Sequence, residues 1–291
     1  MRDMTNDATR ALVLSGGGLT GIAWGAGLLT GLARQGLNLS DAGERPDLTI
    51  GTSAGASVGT QLLSEQEPEA LLEHQLQLPA TPRQPAVPGA GLDFARAFQA
   101  LVREAGPDPL NIRRRIGQWA LERGLEPETE AQLSARFDLP VSEWPQGQLQ
   151  LTAVDAESGE ARVFTRDSGV PLLQAVAASC AVPGVWAPVA IQGRRYMDGG
   201  VRSGANADLA AGAGRVLVVA LMPLGNLPSL QAEVQALEAG GAAVRVVAPD
   251  QASAEAIGPD LLSAATRTAT ARAGAAQGER LAAELGEFWS A

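Results

Sequence analysis

Apolar residues gather in strand-length stretches at Ala11–Leu14, Leu48–Ile50, Leu149–Val154, Arg215–Leu221 and Ala243–Ala248. Between several of them the period becomes helical, as over Ile22–Arg34 and Ala54–Leu63. Strands that are apolar at successive positions, alternating with helices, predict an α/β fold whose largely parallel sheet is covered on both faces. Pro79 to Pro88 holds four prolines and cannot continue a helix, so a loop is expected there. Amphipathic stretches follow at Leu92–Glu104, Asn111–Arg123 and Thr129–Phe137, suggesting a helical insertion at about residues 65–147 of a single 291-residue domain. Leu261–Trp289 predicts a closing helix, with Gly274 and Gly278 as candidate breaks.

Composition narrows the chemistry. All 22 basic residues are arginine, so a P-loop lysine, a Schiff-base lysine and a kinase lysine are excluded. The formal charge of −10 argues against nucleic acid as a partner and gives no general attraction to anionic membranes. Arg113-Arg114-Arg115 and Arg194-Arg195 are the tight basic clusters, read as a solvated helix face and a solvated strand end, with headgroup contact as the alternative. One cysteine, Cys180, makes no internal disulfide, and it reads as a small buried apolar residue. The N-terminal residues do not read as a secretory signal, and the glycine-broken run from Ala11 to Ala33 does not read as a membrane span. The expectation is a cytoplasmic protein that is at most peripheral at membranes. With one histidine, His74, and one cysteine there is no ligand cluster, so neither a metal nor a cofactor is expected.

Two glycine-rich turns carry the candidate chemistry. Gly51-Thr52-Ser53-Ala54-Gly55 follows a strand pattern directly and opens a helix pattern, which suits a nucleophile elbow. Chance alone gives roughly 0.2 such G-x-S-x-G matches in a chain this rich in glycine. A second match centred on Ser57 falls one turn into the helix, where a small residue serves packing. By spacing alone, Ser53 is equally well read as a serine capping a tight turn. Upstream, Ser15-Gly16-Gly17-Gly18-Leu19-Thr20-Gly21 sets three glycines between a strand and a helix, where exposed N–H groups suit an oxyanion or a phosphate. The same string satisfies G-x-G-x-x-G, so a nucleotide-binding module stays open as an alternative. Its expected second strand, however, ends in the serine turn rather than in an acid. A third cluster, Tyr196-Met197-Asp198-Gly199-Gly200, read by itself predicts a plain hairpin turn. The loop before it, Ala178 to Pro188, is apolar enough to line a pocket.

The order GGGLTG, GTSAG, ASCAVPGVWAPV and DGG resembles the patatin-like phospholipases, a family of lipid acyl hydrolases. The likeness runs from about Leu12 to Gly200 and includes nothing recognisable between Pro79 and Pro145. It implies a three-layer α/β/α fold and a Ser53–Asp198 catalytic dyad. It also implies an oxyanion hole from Gly16, Gly17 and Gly18, which Ala54 can complete, with Gly51 and Gly55 flanking the nucleophile. The implied partner is a phospholipid or another acyl ester; an acyltransferase or thioesterase using the same dyad is the alternative. Many members carry Lys or Arg where this chain has Thr20. His74 lies in a helix-like stretch soon after the serine, the wrong chain order for an ordinary hydrolase triad. Asp155, at the end of an apolar strand, is the rival carboxylate. Phe94, Phe98, Leu101, Trp119 and Phe137 offer either a lid over an acyl pocket or a satellite core.

Overall fold

The structure is a computed structural model that describes residues 9–78 and 90–291, and side chains for all of these except 90–95. The proline-rich stretch and the Phe94 side chain therefore lie outside the described residues. The first half of the chain forms β1 (Arg10–Leu14), α1 (Gly18–Arg34), β2 (Leu48–Gly51) and α2 (Ala54–Leu62). Four helices come next: α3 (Pro68–Gln77), α4 (Ala90–Ala105), α5 (Pro109–Glu122) and α6 (Glu130–Phe137). Then follow β3 (Leu149–Asp155), β4 (Ala161–Phe164), α7 (Leu172–Ser179), β5 (Val189–Ile191) and β6 (Arg194–Asp198). The chain closes with β7 (Arg215–Val219), α8 (Leu230–Ala239), β8 (Ala243–Val247), α9 (Gln251–Ile257) and α10 (Arg267–Ser290).

Among the described residues all eight strands lie in one sheet, ordered β5-β6-β3-β2-β1-β7-β8, with β4 also on β3. The pairs β3–β2, β2–β1, β1–β7 and β7–β8 are parallel. Both faces of the central strands are buried, as the strand pattern requires, while the edge strand β8 is partly exposed. Leu12 and Leu14 of β1 pack with Trp24, Leu28 and Val58 of α1 and α2. Ala11 and Val13 point the other way, against Ala207, Ala210 and Leu230. This is a three-layer α/β/α fold.

The closing helix begins at Arg267, later than its apolar pattern implies, and runs to Ser290 without a break at Gly274 or Gly278. Those glycines serve contact with α1: a Cβ on Gly274 would stand 2.3 Å from the Trp24 carbonyl oxygen. The hairpin expected at Asp198-Gly199 is instead made by β5 and β6, which turn through Gln192 and Gly193 at φ 51° and 79°. Both residues there adopt the positive φ of a type I′ turn.

One detail of the sheet positions the site. β4 occupies one edge of β3 from Leu151 to Val154, so β2 and β6 must share the other edge. β2 runs parallel to β3 and stops with Gly51 opposite Leu151, while β6 runs antiparallel and stops with Asp198 opposite Ala153. The two strands therefore approach end to end. The gap between their ends falls at Thr152, and both chains leave the sheet there.

Candidate active site

Beyond Gly51 the chain passes Thr52 and reaches Ser53, with φ 53° and ψ −115°. Positive φ in a residue bearing a Cβ costs about 1–3 kcal/mol and persists only where its surroundings enforce it. Here three hydrogen bonds do so. Thr52 N–H donates to Leu14 O (3.0 Å), Ser53 N–H to Ser179 Oγ (3.0 Å), and Gly55 N–H to Ser15 O (3.0 Å). The flanking glycines permit the approach, since a Cβ on Gly55 would sit 2.0 Å from Leu14 O and one on Gly51 would sit 2.7 Å from Gly55 O. Ser53 is thereby held at the N-terminus of α2 with 8% of its surface exposed.

Asp198, 5% exposed, ends β6 on the far side of the gap. Its N–H donates to Ala181 O (3.0 Å), and its Oδ1 accepts from Gly200 N–H (2.7 Å). The Ser53 hydroxyl lies near enough to favour the charged carboxylate without forming a hydrogen bond to it, and Oδ2 is buried with no hydrogen-bond partner. Burial pushes the carboxyl up to about 6, against the opposing pull of Ser53, Gly200 N–H and the more distant Arg136. Asp155, the rival, is turned away from the gap. It accepts from the N–H groups of Glu157 and Ser158 (both 2.9 Å) and pairs with Arg194 at 2.8 Å.

The glycine loop abuts the elbow: a Cβ on Gly16 would lie 3.6 Å from that of Ser53. Ser15 Oγ accepts from Leu221 N–H (2.8 Å) and donates to Gly16 O (2.7 Å), fixing the loop's path. Gly16 differs from the expectation that it donates to a ligand, because its N–H is committed to Gly204 O at 2.8 Å. Gly17, Gly18 and Ala54, at helix N-termini, have N–H groups with no acceptor among the described residues. Thr20 is buried and donates through Oγ1 to Leu261 O (3.3 Å), so this position brings no charge to the site.

Ser53, Ala54 and Gly18 open onto a cavity of about 130 Å³, against the 10–15 Å³ or so that one water needs. Ile22, Leu78, Val182, Trp186 and Leu262 supply much of its apolar wall. Of the five aromatic and aliphatic residues offered as a lid, Phe137 lines this cavity. Phe98 and Leu101 pack instead with Ile116, Val154 and Met197 in a satellite core, and Trp119 stands against Gly184. His74 also lines the cavity, where its Nε2 pairs with Asp138 Oδ2 at 3.2 Å rather than with Ser53 or Asp198. Cys180 is a free thiol beside the elbow, donating to Ser53 O at 3.1 Å, and burial pushes its thiol up to about 12. Sequence reasoning missed Ser179, Thr152, Asn206 and Arg136, which surround these groups.

This fold and site define an α/β protein with a serine elbow beneath a glycine loop. The chain belongs to the patatin-like phospholipase family, whose model matches residues 12–211. Among solved structures it is similar to VipD from Legionella pneumophila, at 12% identity and a TM-score of 0.45, covering 95% of this chain and 67% of that one. It is also similar to the type III effector protein ExoU, at 16% identity and a TM-score of 0.40, covering 95% of this chain and 53% of that one. No curated protein sequence matches the chain. Among the described residues, no helix is long and apolar enough to cross a membrane.

Proposed function

We propose that the chain is a serine esterase that hydrolyses acyl esters of phospholipids or related lipids, with Ser53 as nucleophile and Asp198 as base. The observation that carries this reading is a strained, buried Ser53 whose hydroxyl lies near enough to Asp198 to favour its charged form, at a carboxylate that keeps one buried oxygen without a hydrogen-bond partner. A carboxyl at its ordinary pKa of about 3.9 is a weak base. Raised to about 6, Asp198 remains ionised at neutral pH yet holds a proton better, which is the compromise a general base needs.

The Ser53 Oγ attacks the ester carbonyl as its proton passes to Asp198 Oδ2. The N–H groups of Gly17, Gly18 and Ala54 receive the charge on the tetrahedral oxygen, where losing one donor typically costs about 3–4 kcal/mol of barrier. Asp198 returns the proton to the leaving alcohol, then activates a water that cleaves the acyl-Ser53 ester. The scheme uses no metal or cofactor. The substrate is lipid, met at a membrane surface from the cytoplasm, and the chain's acidic balance leaves no role for nucleic acid.

The test is labelling with a fluorophosphonate and turnover of p-nitrophenyl acyl esters and phospholipids by wild type and Ser53→Ala. Both signals are expected to vanish in the variant. Labelling at the wild-type level without Ser53 overturns the assignment, and stabilisation by a dinucleotide with no labelling at all favours a binding module instead.

A further inference from the structure

The cavity beside Ser53 is not uniformly apolar. Among the described residues lining it, Arg136 and Arg267 are cations, and the one carboxylate, Asp138, is paired with His74. A chain of net charge −10 thus places two guanidinium groups in the wall of its candidate catalytic cavity. Arg267 is buried where α10 begins, and burial lowers its pKa.

Arg136 is the more informative of the two. It sits near the end of α6, its side chain 10% exposed, with its guanidinium 4.0 Å from the Trp186 ring centroid and 4.3 Å from that of Phe137. Aromatic faces hold the planar fork in one orientation. Its nearest counter-charge, Glu128 Oε2, is 2.9 Å from Nη2 but off the line of a hydrogen bond, and Nε has no acceptor. Burial also pushes the Glu128 carboxyl upward, so this pair is poorly compensated on both sides. A guanidinium serving only to staple α6 in place would be expected to have its donors satisfied, because buried donors left unmade are costly. A rigid fork with donors to spare, in the wall of a cavity with much apolar lining, suits a bidentate anion.

We infer that Arg136 receives an anionic group carried by the substrate, a phosphate or carboxylate a few bonds from the ester that Ser53 attacks. Arg267 adds positive potential to the same cavity. The inference rests on the esterase reading only for what happens after binding; the anion site itself is a matter of affinity.

The binding experiment therefore uses the non-turning-over Ser53→Ala chain, titrated with octyl phosphate, 1-octanol and inorganic phosphate. Octyl phosphate is expected to bind at least about tenfold more tightly than octanol, which has the same tail and no charge. Adding Arg136→Gln should remove that preference, while Arg136→Lys, which keeps the charge but not the fork, should retain part of it. The octyl phosphate and octanol comparison needs no substitution at Arg136, so it decides the matter even if those variants fail to fold. Equal affinity for the two amphiphiles overturns the proposal, as does a phosphate preference that survives Arg136→Gln. Inorganic phosphate competing as strongly as octyl phosphate marks a free-anion site and overturns the assignment to substrate. Turnover then separates the two readings, using a monoacylglycerol phosphate and a monoacylglycerol of equal chain length. Arg136-dependent phosphate binding with no hydrolysis of either ester sinks the esterase and leaves the anion site standing. Hydrolysis of both at equal kcat/KM sinks the anion site and leaves the esterase.

Discussion

Asn206 is bound to Thr52: its side-chain amide donates to Thr52 Oγ1 at 3.0 Å, joining the turn that follows Asp198 to the turn that presents Ser53. The same nitrogen donates to Ser203 O at 2.6 Å and stands 3.3 Å from Gly199 O, and Thr52 Oγ1 lies 2.9 Å from Thr152 Oγ1. The polar group filling the gap between the ends of β2 and β6 is thus a fully buried asparagine in a left-handed conformation, φ 52°. A link of this kind sets the separation of Ser53 and Asp198 without touching either.

Asn206→Ala should therefore act in two ways. Removing a buried amide leaves the Thr52 and Thr152 hydroxyls short of a partner and is expected to destabilise the fold by roughly 1–3 kcal/mol. In the fraction that folds, kcat for a soluble ester should fall at least about tenfold with a much smaller change in KM, because geometry rather than binding is lost. Paired chemical denaturation and steady-state kinetics check both. A stability loss with unchanged kcat would leave Asn206 a purely structural residue.

The parallel part of the sheet is legible because its central strands are buried on both faces and so are largely apolar, and even the more exposed edge strand β8 keeps four apolar residues of five. The antiparallel edge is not. Arg194 and Arg195 of β6 are exposed, and Ala161 and Arg162 of β4 carry no alternation strong enough to mark a strand. Ser53 and Asp198 are legible as separate turn signals, but the reason they meet lies in two strands sharing one edge of β3, and no local pattern records that. Arg136 was hidden differently: in an amphipathic stretch one arginine looks like any solvated one until its ring partners, Trp186 and Phe137, are placed around it. Gly16 was misjudged because spacing along the chain does not show which N–H groups the fold itself consumes.

Asp198→Asn should lose activity and gain stability. In the folded chain the carboxyl titrates near 6, against 3.8 for an ordinary one, so between those values the native state binds more protons than the unfolded state. Native stability therefore falls as pH rises through that window. At pH 7 the ionised group costs on the order of 3 kcal/mol, read from the two-unit rise. Asparagine removes the charge and retains an oxygen for Gly200 N–H. Thermal melts at pH 4 and pH 7 should show wild type and variant close together at the lower pH and the variant higher at the upper one. Turnover should drop by several orders of magnitude.

Two glycine-to-alanine changes should have opposite signs. At Gly55 the new Cβ meets the backbone oxygen of Leu14 at 2.0 Å, an atom that cannot turn aside, so β1 and α2 must separate where Ser53 is presented. A loss above about 3 kcal/mol or failure to fold is expected, more than ordinary overpacking costs. At Gly286, within α10, nothing lies within 4 Å of the added atom, and alanine should stabilise the helix by about 0.5–1 kcal/mol. Urea denaturation of both variants checks the contrast.

The pH dependence of kcat/KM on a neutral ester should rise through a single ionisation near pH 6 and level off above it, since Asp198 must be deprotonated to accept the Ser53 proton. The limb alone does not say which group is read. His74 is the only histidine in the chain and faces the cavity with its ring nitrogen engaged by Asp138. His74→Gln separates the two: the limb should remain near 6, with its plateau height changed by no more than the few-fold effect of altering the cavity wall. If the limb disappears with the imidazole while the protein stays folded, the base is His74, and the carboxylate at the end of β6 has some other task.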